Sequence, residues 1–115
     1  MQSHLKMQIE DSTENYQIIK LEGEFDKLGH SEIKEDLEKT INNINVPSLI
    51  FDFKKLKFIN SEGIGYLMEI HTHLIKKDLQ LVIINLNSHV KDVFETIGLK
   101  EIIPIFSNIS DFKNR

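Results

Sequence analysis

Ser61 sits in the run Ile59-Asn60-Ser61-Glu62-Gly63, with a glycine two places on. A serine on a sharp strand-to-helix turn, followed at that distance by glycine, is the core of the nucleophile elbow, which exposes the hydroxyl for acyl transfer. Ile59 stands where the elbow needs its first glycine, and 115 residues is short for that enzyme fold. The same place suits two other kinds of chemistry. A polar side chain at a helix start accepts a hydrogen bond from a free backbone N–H, and either Asn60 or Ser61 has the right group for that cap. Ile64 falls where a capping box on Ser61 would need Glu or Gln. A hydroxyl at a helix N-terminus is also a seat for phosphate, because free N–H groups and the positive end of the dipole stabilise an anion. Phosphorylation there adds about −1.5 to −2 charges and changes the surface while leaving the fold intact.

The remaining reactive residue types offer less. His71 and His73 are two apart on an expected helix, so they point to nearly opposite sides and do not share a metal. His71 reads as an inner-face packing residue and His73 as a solvated one; His4, His30 and His89 are isolated. Gly63-Ile64-Gly65 is only a fragment of a phosphate-binding glycine loop. Two glycines in the first turns of a helix cost about 1 kcal/mol each relative to Ala, so close approach of a neighbouring strand or of a partner protein must offset them. The chain has no cysteine, which excludes disulfides, thiolate catalysis and cysteine zinc sites. No cofactor and no metal is expected.

These residues need elements to hold them. The length suits one domain over residues 1–115. A net charge of −4, from 14 Lys plus Arg against 18 Asp plus Glu, speaks against nucleic-acid binding and an anionic membrane surface. The longest strongly apolar stretch, Leu81 to Ile84, is far short of the ~20 residues of a membrane helix, and Met1 to Lys6 lacks the apolar run of a leader. A soluble cytoplasmic protein is the expectation.

Leu5, Met7 and Ile9 alternate with polar residues, as in a half-buried strand, and Tyr16 to Leu21 is a second strand. Gly23 to Gly29 reads as a loop. A helix is expected from Ser31 to Ile44, with Ile33, Leu37, Ile41 and Ile44 as its stripe and acids in its first turn. Ser48 to Phe53 is a buried strand and Lys54 to Asn60 a loop. Ser61 to Lys76 is a helix whose inner face carries Ile64, Leu67, Met68, His71, Leu74 and Ile75. Leu79 to Leu86 is a strand, and Ser88 to Ile97 a helix closed by Gly98. Ile102 to Phe106 is a last strand, placed at an edge by Pro104, and Asn108 to Arg115 a terminal helical turn. Helices alternating with strands at this spacing give an α/β domain with a mostly parallel sheet. The two leading strands either pair as a hairpin or sit apart.

Several of these segments together resemble the STAS domains, the family of the anti-sigma factor antagonists and of related domains of sulphate transporters. The resemblance lies in Leu49-Ile50-Phe51-Asp52-Phe53 followed by Phe58-Ile59-Asn60-Ser61-Glu62-Gly63-Ile64-Gly65, in Gly23-Glu24-Phe25-Asp26, and in Asn85-Leu86-Asn87-Ser88 through Ile97-Gly98-Leu99. It runs through nearly the whole chain in order. It implies a mixed sheet of about five strands with helices packed on it, and a protein-binding module without catalysis. An anti-sigma factor antagonist of this kind binds an anti-sigma factor that is also a serine kinase, an ATPase of histidine-kinase-like fold, and phosphorylation of the serine ends the binding. By position the phosphoacceptor is Ser61, with Asp26, Asn60, Ser61, Glu62 and Gly63 forming the docking surface and Gly63 permitting close approach. Asn60 replaces the family's usual Asp, and Glu62 its usual second Ser; Glu62 sets a fixed anion beside Ser61. The same resemblance also accommodates an accessory subunit of a lipid-transport ATPase and a scaffold protein of a stress-sensing assembly. Edge strands and an exposed helix face could support weak homodimers.

Overall fold

The polar segment after the first strand is a tight turn: Thr13 Oγ1 accepts from the N–H groups of Asn15 and Tyr16, each at 3.1 Å. It folds β1 (Leu5–Ser12) back on β2 (Tyr16–Phe25) as an antiparallel pair, so the two leading strands form a hairpin. The computed structural model describes residues 3–115; Met1 and Gln2, which open the segment read for a leader, lie outside the described residues. After the hairpin come α1 (Lys27–Asn43), β3 (Ser48–Ile59), α2 (Ser61–Lys76), β4 (Gln80–Ile84), α3 (Ser88–Ile97), a short 3₁₀ turn at Leu99–Glu101, β5 (Ile105–Phe106) and α4 (Ile109–Lys113). The sheet has five strands in the order β1-β2-β3-β4-β5. β2 through β5 pair in parallel and only β1 runs against them.

Strand alternation divides the apolar residues between the two faces of the sheet. Ile19, Leu21, Leu49, Phe51, Phe53, Leu81 and Ile83 share one core with Leu37 of α1, Leu67 of α2 and Phe94 of α3. Tyr16, Ile18, Ile50, Val82 and Ile84 form a smaller cluster on the other face, closed by Phe112 of α4. β3 is paired on both sides and its first six residues are buried on both faces, the pattern expected of a central parallel strand. The topology carries one functional consequence: β2, β3 and β4 end at the same edge of the sheet, so α1, α2 and α3 all begin there.

Four sequence expectations are corrected. α1 starts at Lys27 rather than Ser31, capped by Asp26, so its first turn has no acidic residue. Gly29 lies inside that turn because of close packing, and a second glycine six residues after Gly23 looks like loop composition. β3 continues through Lys54–Ile59, where a loop was expected: Lys54, Lys55 and Lys57 are exposed while Leu56 and Ile59 are buried, and Glu22 to Phe25 of β2 pair with this part. The last strand is only Ile105–Phe106, since Leu99–Glu101 coils first; it does lie at the edge, as Pro104 requires. On α2, Ile70 is buried and Ile75 is 52% exposed, so the inner face is turned toward Gly63, Leu67, Ile70 and Leu74.

Candidate partner-docking site

Two strand-to-helix junctions lie side by side at this edge. Phe25 is in register with Ile59, and the Asn60 N–H donates to the Phe25 carbonyl at 3.4 Å. Each junction has the same construction: a buried apolar strand end, an Asx cap, two exposed residues and a buried glycine. In the first, Phe25-Asp26-Lys27-Leu28-Gly29, the Gly29 N–H donates to Asp26 Oδ1 at 2.9 Å. In the second, Ile59-Asn60-Ser61-Glu62-Gly63, the Gly63 N–H donates to Asn60 Oδ1 at 3.0 Å. The glycines are required sterically. A Cβ on Gly29 would run into the Glu24 carbonyl, and one on Gly63 into the Phe25 carbonyl. Each helix thereby seats its first turn directly on the strand beneath.

Asn60, then, is the cap of α2, and Ser61 is released from that duty. Ser61 occupies the first helical position and is exposed, with exposed Glu62 next to it. Asp26, Asn60, Ser61, Glu62 and Gly63 are thus brought to one end of the molecule. Gly63 differs from the other four. It is buried, and the space a side chain would need is filled by Phe25 and Ile59, so its bare backbone serves internal packing and is closed to a partner. Gly65, one turn-fraction further, is exposed and faces open space.

A family model described as STAS domain matches residues 5–112. This chain belongs to the STAS domain family. An anti-sigma F factor antagonist from Paenibacillus polymyxa is 23% identical over 91 residues, which cover 79% of this chain and 78% of the relative. Among solved structures, the anti-sigma factor antagonist SpoIIAA in its unphosphorylated form aligns with a TM-score of 0.75 at 23% identity, covering 95% of both chains. An anti-sigma factor antagonist from Mycobacterium paratuberculosis aligns with a TM-score of 0.80 at 17% identity, covering 93% of this chain and 89% of that one. The phosphorylated form of the Bacillus cell fate determinant SpoIIAA aligns with a TM-score of 0.69 at 22% identity, over 95% of this chain and 98% of that one. The α/β fold expected from the sequence, a five-stranded mixed sheet with helices, is the fold of these proteins.

The two caps of this STAS domain differ in charge and surroundings. Asp26 Oδ2 lies 2.8 Å from His4 Nε2, so both of its oxygens are engaged. Burial pushes the Asp26 carboxyl up, but the Gly29 N–H and the His4 ring outweigh this and hold it below the ordinary value of 3.8. The Asp26 hydrogen bond raises His4 above 6.5 against a smaller opposing effect of desolvation, with the Asp26 and Glu24 charges adding to it. Asn60 has no charge and no such partner to recruit. Around these caps the surface is part apolar: Leu28 is 58% and Phe58 38% exposed. The third helix start is tied in from below, since Asn87 caps α3 through the Val90 N–H at 2.9 Å and its amide Nδ2 donates to the Leu56 carbonyl of β3.

The other histidines divide as their spacing implied. His73 is exposed and His71 half-buried; the His71 Nδ1 is covered and lacks a hydrogen-bond partner among the described residues. No group of three or more metal-ligating side chains occurs among the described residues. An acyl-transfer site would require a histidine on Ser61, whereas His4, at this end of the molecule, turns both ring nitrogens to carboxylates. Sequence reasoning missed His4 and His30. His30 stacks on Tyr66 with ring centroids 3.6 Å apart and planes within 8°, bridging α1 and α2. Burial lowers its pKa below 6.5, with the Lys34 charge acting in the same direction. His4 could have been found only by knowing that β1 begins beside Gly23, a pairing that the sequence left open.

Proposed function

We propose that this STAS domain is an anti-sigma factor antagonist. It is a regulatory binding module, without catalysis of its own, which docks through the α1 and α2 N-terminal end onto an anti-sigma factor and is switched off by phosphorylation of Ser61. The observation that carries this reading is the division of labour at the α2 start. Asn60 accepts the Gly63 N–H, leaving an exposed Ser61 hydroxyl at the first helical position. A phosphate added there meets the positive end of the α2 dipole, so the fold tolerates it. The docking surface does not, because about −1.5 to −2 charges appear beside Glu62, Asp26 and the exposed Leu28 and Phe58. The name of the Paenibacillus relative and the fold shared with SpoIIAA in both phosphorylation forms support the same assignment.

The partner is proposed to be an anti-sigma factor with serine-kinase activity, an ATPase of histidine-kinase-like fold. Such a partner both reads Ser61 and modifies it. Glu62 keeps a charge next to the acceptor in the unmodified state, so the partner must tolerate that one anion here and reject two, Glu62 together with a phosphate. Calorimetric titration of the purified partner with wild type, Ser61→Ala and Ser61→Asp tests this. Ser61→Ala is expected to bind like wild type, and Ser61→Asp to fold normally and bind at least tenfold more weakly, a loss of about 1.4 kcal/mol or more. Equal binding by a folded Ser61→Asp protein contradicts a charge switch. A transport ATPase bound regardless of the charge at residue 61 would instead assign the chain to a transporter subunit.

A further inference from the structure

His4 lies in a nest of carboxylates. Nε2 is 2.8 Å from Asp26 Oδ2 and Nδ1 is 3.3 Å from Glu24 Oε2. An ionised carboxylate only accepts hydrogen bonds, and a neutral imidazole has one donor and one lone pair. A ring with a carboxylate at each nitrogen therefore calls for two N–H donors, which is the imidazolium. The main chain at His4 is held whatever the ring's charge: the Glu24 N–H donates to the His4 carbonyl at 3.0 Å, and the Leu5 N–H to Glu32 Oε1 at 2.9 Å. The groups facing His4 are Glu22 and Glu24 of β2, Asp26 at the junction, Glu32 of α1, and the cations Lys6 of β1 and Lys57 of β3. The acids outnumber the bases, which favours the protonated ring.

Asp26 does not need His4 in order to stand where it does. Its Oδ1 is anchored by the Gly29 N–H, as Asn60 is anchored by Gly63 with no histidine nearby in the bond. His4 instead covers the second oxygen and neutralises its charge. We propose that His4 is a proton-gated shield on the docking face: as the imidazolium it occupies Asp26 Oδ2, neutralises that carboxylate and withholds it from a cationic side chain of the partner, and on losing its proton it leaves the carboxylate's charge uncompensated and open to that cation. The consequence for binding rests on Asp26 being a docking residue, as proposed above; the bridge itself does not.

Two measurements on the isolated full chain read the shield. The first is an NMR titration of the histidine ring carbons. His4 is expected to titrate above the ordinary value of 6.5, and to move back toward it in Asp26→Asn, a variant that keeps an Asx cap. A His4 titration unaffected by Asp26→Asn overturns the proposal. The second is carboxylate labelling near pH 6 with a water-soluble carbodiimide and glycinamide, scored by mass spectrometry at Asp26 against exposed Glu62. Labelling of Asp26 is expected to be roughly two- to fivefold faster in His4→Gln than in wild type, the range set by a surface ion pair. Equal rates overturn the shield. With the partner, His4→Gln is expected to bind more tightly at pH 6 and to lose the rise in affinity toward pH 8. If Asp26→Asn binds the partner like wild type while both isolated-chain results hold, the docking role of Asp26 fails and the shield's effect on binding falls with it, leaving only the bridge.

Discussion

The β2–α1 and β3–α2 junctions are built to one plan and put to different uses. Phe25-Asp26-Lys27-Leu28-Gly29 and Ile59-Asn60-Ser61-Glu62-Gly63 each carry an Asx cap bonded to a glycine N–H three residues on. Each glycine is pressed onto a strand carbonyl. At the first junction the cap is a carboxylate whose free oxygen is taken by His4, which ties the start of the hairpin to the start of α1. At the second the cap is a neutral amide, and the exposed residue beside it is a serine. The difference teaches that the α2 start keeps its geometry without any help from Ser61. A residue free of structural duty is one whose chemistry is available for regulation.

The strongest way to break the equivalence is at the glycines. Gly29→Ala and Gly63→Ala should each destabilise the fold by about 2–3 kcal/mol, because the new Cβ meets backbone that cannot move without shifting a strand. Gly65→Ala, in open space on the same helix, should stabilise by about 0.5–1 kcal/mol. Urea unfolding of the three variants checks both signs, and comparable losses at Gly65 and Gly63 would show that packing is not the reason for Gly63. Next come the caps. Asn60→Ala should cost about 1 kcal/mol, and Asn60→Asp, which copies the other junction, should cost little in the same assay. Asp26→Ala should lose a similar cap contribution together with the His4 bridge.

Ser61→Ala should change stability by less than about 0.5 kcal/mol, since an exposed first-turn serine outside the cap has little to lose. A loss near 1 kcal/mol would return Ser61 to capping and sharpen the comparison in the opposite sense. The smallest expected effect is the pH dependence. The bridged pair acts at both ends of the scale. His4, with its pKa raised on folding, contributes below 6.5 and loses that contribution as the pH climbs through its folded value; Asp26, with its pKa lowered, contributes above 3.8 and loses it as the pH falls through its folded value. His30 works in the reverse sense to His4. Its depressed pKa means that stability is full above 6.5 and declines as the pH falls toward its folded value. His30→Phe should keep the stack on Tyr66 and remove that acid-side decline, which a thermal-unfolding series from pH 5 to 8 would reveal.

How much of this was legible in the sequence depended on whether the information was local. α2 and α3 were read with their boundaries, because Asn60, Asn87 and the left-handed Gly98 are local punctuation. The nearness of Asp26 to Asn60, Ser61 and Glu62 was implied by the resemblance to STAS domains and not by local pattern. The start of α1 was not legible, since Gly29 looks like a loop residue until the Glu24 carbonyl beneath it is known. Nor was the second half of β3, where exposed Lys54, Lys55 and Lys57 look like loop composition although Leu56 and Ile59 of the same stretch are buried. The choice of cap between Asn60 and Ser61, the inward use of Gly63 and the His4 bridge all depend on contacts between distant segments. Local composition carries none of these.

The central claim is that Ser61 switches docking. The most direct measurement is a gentle purification of the protein from its own cells, with Ser61 phosphorylation quantified by mass spectrometry separately in the partner-bound and free pools. The account predicts unmodified Ser61 in complex with a histidine-kinase-like ATPase and phosphorylated Ser61 in the free pool. Equal phosphorylation in the two pools, or no phosphorylated Ser61 in either pool, would contradict it.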